Sequence, residues 1–240
     1  MSVDRAARNT GAAGLEPRWL GRLDYRAAWD LQHELVARRA AGQIADQLLL
    51  VEHPAVLTLG RQADPRHIRA TPAELNARGI ETIRVERGGE VTYHGPGQLV
   101  AYPIVRLADR GILLRPFVRA LEQAMIETAA HYGVTAGRRD GLPGVWVSTD
   151  GDGGQPRKLG ALGLRIERGT SYHGIALNVA TSLDDFALID PCGLADASVT
   201  SIAREAGWPA GRSVPSTKSV EQAAQVFADR LGRALESASG

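Results

Sequence analysis

Apolar positions along the chain fall into two periods, and the switches between them mark the elements. Helical spacing begins after Asp24, a side chain suited to an N-cap, where Ala28, Leu31, Leu35 and Val36 make one stripe of a helix reaching about Ala41. The same period predicts long amphipathic helices over Arg115–Tyr132 and over about Val220–Glu236, the second capped by Ser219 with Gln222 three residues on. Thr71-Pro72-Ala73-Glu74 reads as a capping box with proline at the first helical position, and Gly79 closes that short helix. Between the helices stand short apolar or alternating runs, the mark of strands. They are Gln47–Val51, Val56–Leu59, Glu81–Val85, Gln98–Ile104, Val145–Val147, Lys158–Glu167 and Ser171–Val179.

These elements do not alternate regularly, and the central strands follow one another directly, which predicts antiparallel pairing. The pattern therefore favours an α+β or mixed α/β fold over a doubly wound parallel sheet. No repeat is visible and no linker divides the chain, since Ser148–Pro156 is only a short polar excursion. The reading is one domain over residues 17–236, preceded by an Ala-, Gly- and Arg-rich segment, 1–16, expected to be disordered.

Composition narrows the classes of function. The 28 basic and 27 acidic side chains nearly cancel, so no overall field points to nucleic acid or a membrane surface. Aromatic residues at 5% argue against base-stacking platforms. The N-terminus has no apolar core between its charges and is no signal peptide, and no run is long enough to span a bilayer. With one cysteine and no export signal, the expected compartment is the reducing cytoplasm. The six histidines lack ligand spacing, so no metal site is expected.

Four places carry candidate chemistry. Cys192, the lone cysteine, sits between Pro191 and Gly193. Free cysteines are often buried as small hydrophobes, but a thiol at a glycine-flanked bend is also open to a ligand, as a nucleophile must be. The run Arg87-Gly88-Gly89-Glu90-Val91-Thr92-Tyr93-His94-Gly95-Pro96-Gly97 lets backbone come close to a ligand, yet has neither Walker A nor dinucleotide-binding spacing and reads equally as a glycine-rich hairpin. Lys158 opens a strand beside the polar excursion; it is either solvated or, in a partly dry pocket, a base. Ser171–Val179 sets His173 and Asn178 among small residues.

Taken together and in order, Glu52-His53-Pro54, Arg87 through Gln98, Gly144-Val145-Trp146-Val147, Lys158 with Gly160, Tyr172-His173-Gly174 through Asn178, and Pro191-Cys192-Gly193 resemble the lipoyl(octanoyl) transferase family, that is, octanoyl-[acyl carrier protein]:protein N-octanoyltransferases. The likeness runs from about Trp19 to Leu231. It implies a large mixed sheet flanked by helices plus a smaller sheet, the fold shared with lipoate and biotin protein ligases. It implies an acyltransferase that moves octanoate from octanoyl-acyl carrier protein to a lysine of lipoyl domains, in 2-oxoacid dehydrogenase and glycine cleavage complexes, with no cofactor. By the same likeness Cys192 matches the acyl-carrying nucleophile and Lys158 its partner. Arg87, Gly88, Gly89, Glu90, Val91, Thr92, Tyr93 and His94, with Ala161, Leu162 and Gly163 and with Gly174, Ile175 and Ala176, match the acyl-binding segments. Because carrier proteins are acidic, Arg61, Arg66, Arg69 and Arg138 or Arg139 are candidates for docking.

The residue types suit the reaction. A thiol converts one thioester to another at little cost, and amide formation then runs downhill. A free thiol with a pKa of about 8.5 is mostly protonated at neutral pH, and a desolvated Lys158 could take that proton, the two titrating as a unit. Other readings are an ATP-dependent lipoate-protein ligase, a non-catalytic acyl- or lipoyl-domain-binding protein, and a Cys–His hydrolase using His94 or His173.

Overall fold

The computed structural model describes residues 14–148, 155–190, 198–208 and 217–238. Its main element is a mixed eight-stranded sheet in the order β1-β2-β6-β10-β9-β8-β7. These strands are β1 (Glu16–Arg22), β2 (Gln47–Glu52), β6 (Gln98–Ile104), β7 (Gly137–Arg139), β8 (Leu142–Val147), β9 (Arg157–Glu167) and β10 (Thr170–Asn178). The eighth, β11 (Ser198–Val199), lies parallel to the start of β9. A smaller sheet has the order β4-β3-β5, from β3 (Val56–Leu59), β4 (Glu81–Arg84) and β5 (Val91–His94).

Burial of both faces explains why the central strands read as unbroken apolar runs. Leu48 and Leu50 of β2 face one way, into a core shared with α3 (Leu114–His131), the short α4 (Ile202–Glu205) and α5 (Thr217–Ala238). Leu49 and Val51 face the other way, toward Ala28, Leu35 and Val36 of α1 (Tyr25–Ala40). Side chains alternate across a strand, so helices covering both faces demand apolar residues at every position. The consecutive strands β8, β9 and β10 pair antiparallel, as the sequence predicts.

Local signals hold at two of the helix starts. The Asp24 carboxylate accepts from the backbone N–H groups of Arg26 and Ala27, and Thr71 and Glu74 form the reciprocal capping box of α2 (Pro72–Ala77). Three expectations are corrected. Helix α5 begins at Thr217, so Ser219 lies inside it and is no cap. Glu16, placed in the disordered segment, pairs with Gln47, and Leu15 packs on the core; residues 1–13 lie outside the described residues. The Arg87–Gln98 run is no simple hairpin either. Its β5 joins β3 in the small sheet, whereas Gln98 opens β6 of the large one, so the glycines Gly95 and Gly97 carry the chain from sheet to sheet.

Candidate active site

The register of β9 against β10 builds the site's floor. Gly163 faces Gly174, Leu162 faces Ile175 and Ala161 faces Ala176, so the two short segments singled out in sequence are direct cross-strand neighbours. Bulk is excluded where the main sheet is tightest. A Cβ on Gly174 would lie 2.0 Å from the Ala101 carbonyl oxygen of β6.

The Arg87–His94 segment forms the facing wall. The Gly88 N–H donates to the Leu164 carbonyl at 3.0 Å, which lays this loop against β9. Arg87 is buried and donates to the Thr58 carbonyl at 2.6 Å and to the Thr58 hydroxyl at 2.9 Å. The resulting cleft encloses about 800 Å³, part of it open to solvent. Arg87, Gly89, Glu90, Val91, Thr92 and His94 line it, together with all six residues of the paired β9 and β10 segments. Two residues of the expected set do not. Gly88 contributes backbone contacts to β9, and Tyr93 turns away, donating its hydroxyl to Asp185 at 2.9 Å and packing edge-on against Phe186.

Lys158 stands at the β11 end of this cleft, half-buried, with Nζ 5.0 Å from the centre of the Trp146 ring. Its backbone is pinned from both neighbouring strands. Trp146 faces it from β8, Val199 faces it from β11, and the Thr200 N–H donates to its carbonyl at 2.9 Å. Cys192 lies outside the described residues, as do Pro191 and Gly193. The described chain on either side is well held. Asp190 donates its N–H to the His67 carbonyl at 2.7 Å and meets Arg69 at 3.5 Å, while Val199 lines the cleft beside Lys158.

The histidines weighed as bases are both buried. His94 is buried, and Gln98 fixes its tautomer. The Gln98 amide nitrogen donates to Asn178 Oδ1 at 2.9 Å and to the Tyr93 carbonyl at 3.2 Å. Gln98 Oε1 is therefore the acceptor for His94 Nδ1–H at 2.7 Å. Burial, with His53 nearby, lowers His94 to about 3, so the ring is neutral at physiological pH. His173 is also buried, on a left-handed backbone with φ of 53°, and its Nε2 lies 3.4 Å from Glu86. Burial and the neighbouring Arg87 and His33 charges lower it to about 3.

Sequence reasoning missed several wall residues. Tyr25, Val100, Tyr102, Phe186 and Val199 line the cleft. Tyr102 donates to His53 Nε2 at 2.8 Å, because His53 Nδ1–H is committed to the Leu23 carbonyl at 2.7 Å. Burial lowers His53 to about 4 and raises Tyr25 to about 12. Tyr25 lies on α1, Val100 and Tyr102 on β6, Phe186 on a short 3-10 turn and Val199 on β11, and of this group only the neighbouring His53 belonged to a motif marked in the sequence. The arginines considered for docking divide as well. Arg66 is exposed and paired with Asp64, and Arg61 is exposed beside the Arg87 loop. Arg138 instead serves Glu122 and the Arg119 carbonyl, and Arg139 lies 5.9 Å from the Trp146 ring centre. Among the described residues no group of histidines and carboxylates is arranged to hold a metal ion, and no helix is long and apolar enough to cross a membrane.

Comparison with known proteins bears on the same elements. Residues 24–231 match the family described as the lipoyl protein ligase A/B catalytic domain. An octanoyltransferase of Chloroflexus aggregans is 51% identical over 189 residues, covering 78% of this chain and 83% of the relative. One of Mycolicibacterium gilvum is 45% identical over 225 residues, covering 91% and 87%. A solved bi-partite lipoate protein ligase of Thermoplasma acidophilum superposes with a TM-score of 0.60 at 16% identity, over 90% of this chain and 84% of that one. A lipoate-protein ligase A bound with ATP gives 0.58 at 16% identity, over 90% and 86%. Identities that low speak for the fold alone. The family match, which runs through both strands of the cleft floor, and relatives this similar over most of their length show that the chain belongs to the lipoyl protein ligase A/B catalytic-domain family.

Proposed function

We propose that this chain transfers an octanoyl group from octanoyl-acyl carrier protein to a lysine of a lipoyl domain, through a thioester on Cys192, in the cytoplasm. The observation that carries the reading is the meeting of Lys158 with an apolar-floored cleft, in a chain whose relatives are octanoyltransferases. The described flanks of Cys192 support it, because Val199, seven residues on, pairs with Lys158 itself.

The chemistry is then balanced at each step. The Cys192 thiol gives its proton to Lys158, and the thiolate attacks the carbonyl carbon of the donor thioester. The bond to the carrier sulfur breaks, and that sulfur leaves with the proton from Lys158. The acceptor lysine's amine next attacks the Cys192 thioester; the carbon–nitrogen bond forms, the Cys192 sulfur departs, and Lys158 accepts the amine's surplus proton. The acyl chain lies between the β9–β10 floor and the Arg87–His94 wall, where burial is worth about 0.8 kcal/mol per methylene and so selects for chain length.

Three features weigh against the alternatives. Adenylate chemistry needs no thiol, and the relatives at 45–51% identity are octanoyltransferases rather than ligases. A Cys–His hydrolase needs an imidazole basic enough to take the thiol's proton, yet burial lowers both His94 and His173 to about 3 and leaves them weak bases. A binding protein needs neither Cys192 nor Lys158. The deciding experiment is incubation with octanoyl-acyl carrier protein and a lipoyl domain in the absence of ATP. Octanoylated lipoyl domain is the expected product; a strict need for ATP, or release of free octanoate alone, would overturn the reading.

A further inference from the structure

A lysine side chain has four rotatable carbons, so its ammonium reaches one place only if something holds the stem and the tip. Lys158 has both kinds of support. The ladder between β8 and β9 slips by one residue here: Val145 faces Gly160, while Trp146 faces Lys158. Leu159 is the extra residue of this bulge and drops into the core, a local break of the kind that re-aims side chains beside active sites. The tip then lies over the Trp146 ring, Nζ 5.0 Å from its centre. The ring cannot drift, being 2% exposed and tied by Nε1–H to the Leu142 carbonyl at 3.3 Å.

The stem needs room, and Gly144 supplies it. A Cβ at this position, where φ is 107°, would lie 3.2 Å from Lys158 Cε and 2.4 Å from the Gly160 carbonyl oxygen. Gly144 is itself anchored from the helix layer. Its N–H donates at 3.2 Å to Oε1 of the buried Glu122 on α3, whose other oxygen accepts from Arg119 and Arg138, each at 3.0 Å.

We propose that Trp146 is the positioning residue for Lys158, its ring face holding Nζ at the cleft while Gly144 leaves space for the stem. The functional half of this inference rests on Lys158 being the proton-transfer group; the geometric half does not. Attraction between a partly desolvated cation and an indole face is strong enough to alter a rate severalfold to tenfold or more. Isosteric apolar replacement removes that attraction while keeping most of the packing.

The chain has only two lysines, Lys158 and Lys218, which makes the geometry directly readable. Protein labelled with ¹³C at lysine Cε should give two Cε–Hε correlations, one displaced upfield by the indole ring current and absent in Lys158→Arg. Trp146→Leu should return that signal to the position of an ordinary lysine, and Trp146→Tyr should keep part of the displacement. In steady-state transfer, Trp146→Leu should lower kcat about tenfold with KM for the carrier substrate within about twofold, and Trp146→Tyr should recover to within about threefold of the native value. An undisplaced lysine signal in the native protein overturns the proposal, and that spectrum needs no variant to fold. Folded Trp146→Leu with native kcat, or equal losses in the Leu and Tyr variants, also overturns it. If Lys158→Ala keeps native kcat, it is the proton-transfer reading that fails, and the lysine spectrum still decides whether the ring positions the side chain.

Discussion

The two ends of the cleft are built on opposite plans. At the Lys158 end a long charged side chain rests half-buried on an aromatic ring, held at its backbone by β8 and β11. Toward the small sheet, His94, Gln98, Thr58, Arg87 and Asn178 lock one another in a buried lattice of hydrogen bonds. A side chain whose donors and acceptors are all committed holds shape and does not exchange protons during turnover. The contrast teaches that the titratable residues most conspicuous in sequence, the histidines, build the wall, while the proposed proton-transfer group, Lys158, lines the cleft at its β11 end.

The sharpest way to break this comparison is to exchange the roles. Lys158→Ala and Lys158→Arg should each lower kcat by about 10²–10⁴ with folding intact, since arginine keeps the charge but its pKa above about 12 bars it from acting as a base. Transfer kinetics with a circular dichroism check measures this, and native kcat in Lys158→Arg would move the proton-transfer role to another group.

The second test loads the floor. Gly174→Ala forces a Cβ to within 2.0 Å of the Ala101 carbonyl oxygen, a contact that only backbone movement can relieve. Overpacking of this kind costs about 1–3 kcal/mol, so the urea midpoint should fall and carrier KM should rise as β10 shifts. Unchanged stability would show that the β6–β10 contact is looser than the structure has it.

The histidine wall gives a pH signature. His53, His94 and His173 fall from an ordinary 6.5 to about 4, 3 and 3 when folded. Below 6.5 the unfolded chain therefore binds protons that the folded chain refuses. Their contribution to stability is complete above 6.5 and is lost as pH falls from there toward 4 and 3. Each histidine adds about 1.4 kcal/mol per pH unit to the slope within that window. His94→Gln should remove one such share between pH 6 and 4 in denaturant titrations. A slope identical to that of the native chain would mean His94 is already protonated when folded.

The smallest effect lies on the surface. Arg61→Glu should raise carrier KM about threefold at low ionic strength, with the difference fading as salt is added. Arg138→Glu should act instead through stability, because its partner is the buried Glu122.

How much of this was legible before the structure follows from what each residue does. Helix starts were readable because Asp24 and Thr71 cap with their own side chains. The central strands were readable because helices on both faces require an apolar residue at every position. The edge strand β1 was not, since Glu-Pro-Arg-Trp-Leu-Gly-Arg has no alternation and largely faces solvent. Nor was the split of Arg87–Gln98 between two sheets, because glycines carry no burial signal. In the cleft, the paired segments of β9 and β10 stood out by motif. Tyr25 and Tyr102 did not, because an aromatic residue on an apolar stripe looks the same whether it faces a core or a cavity. Trp146 was visible as part of a motif, but its relation to Lys158 depends on a one-residue bulge that no spacing rule reveals.

The central claim is that the acyl group passes through Cys192 with Lys158 as its proton partner, and intact-protein mass spectrometry tests it most directly. After brief incubation with octanoyl-acyl carrier protein and no acceptor, the native chain should gain the mass of one octanoyl group. Neutral hydroxylamine should remove it, addition of lipoyl domain should discharge it, and Cys192→Ala should never acquire it. An adduct that resists hydroxylamine, or full transfer by Cys192→Ala, would contradict the account.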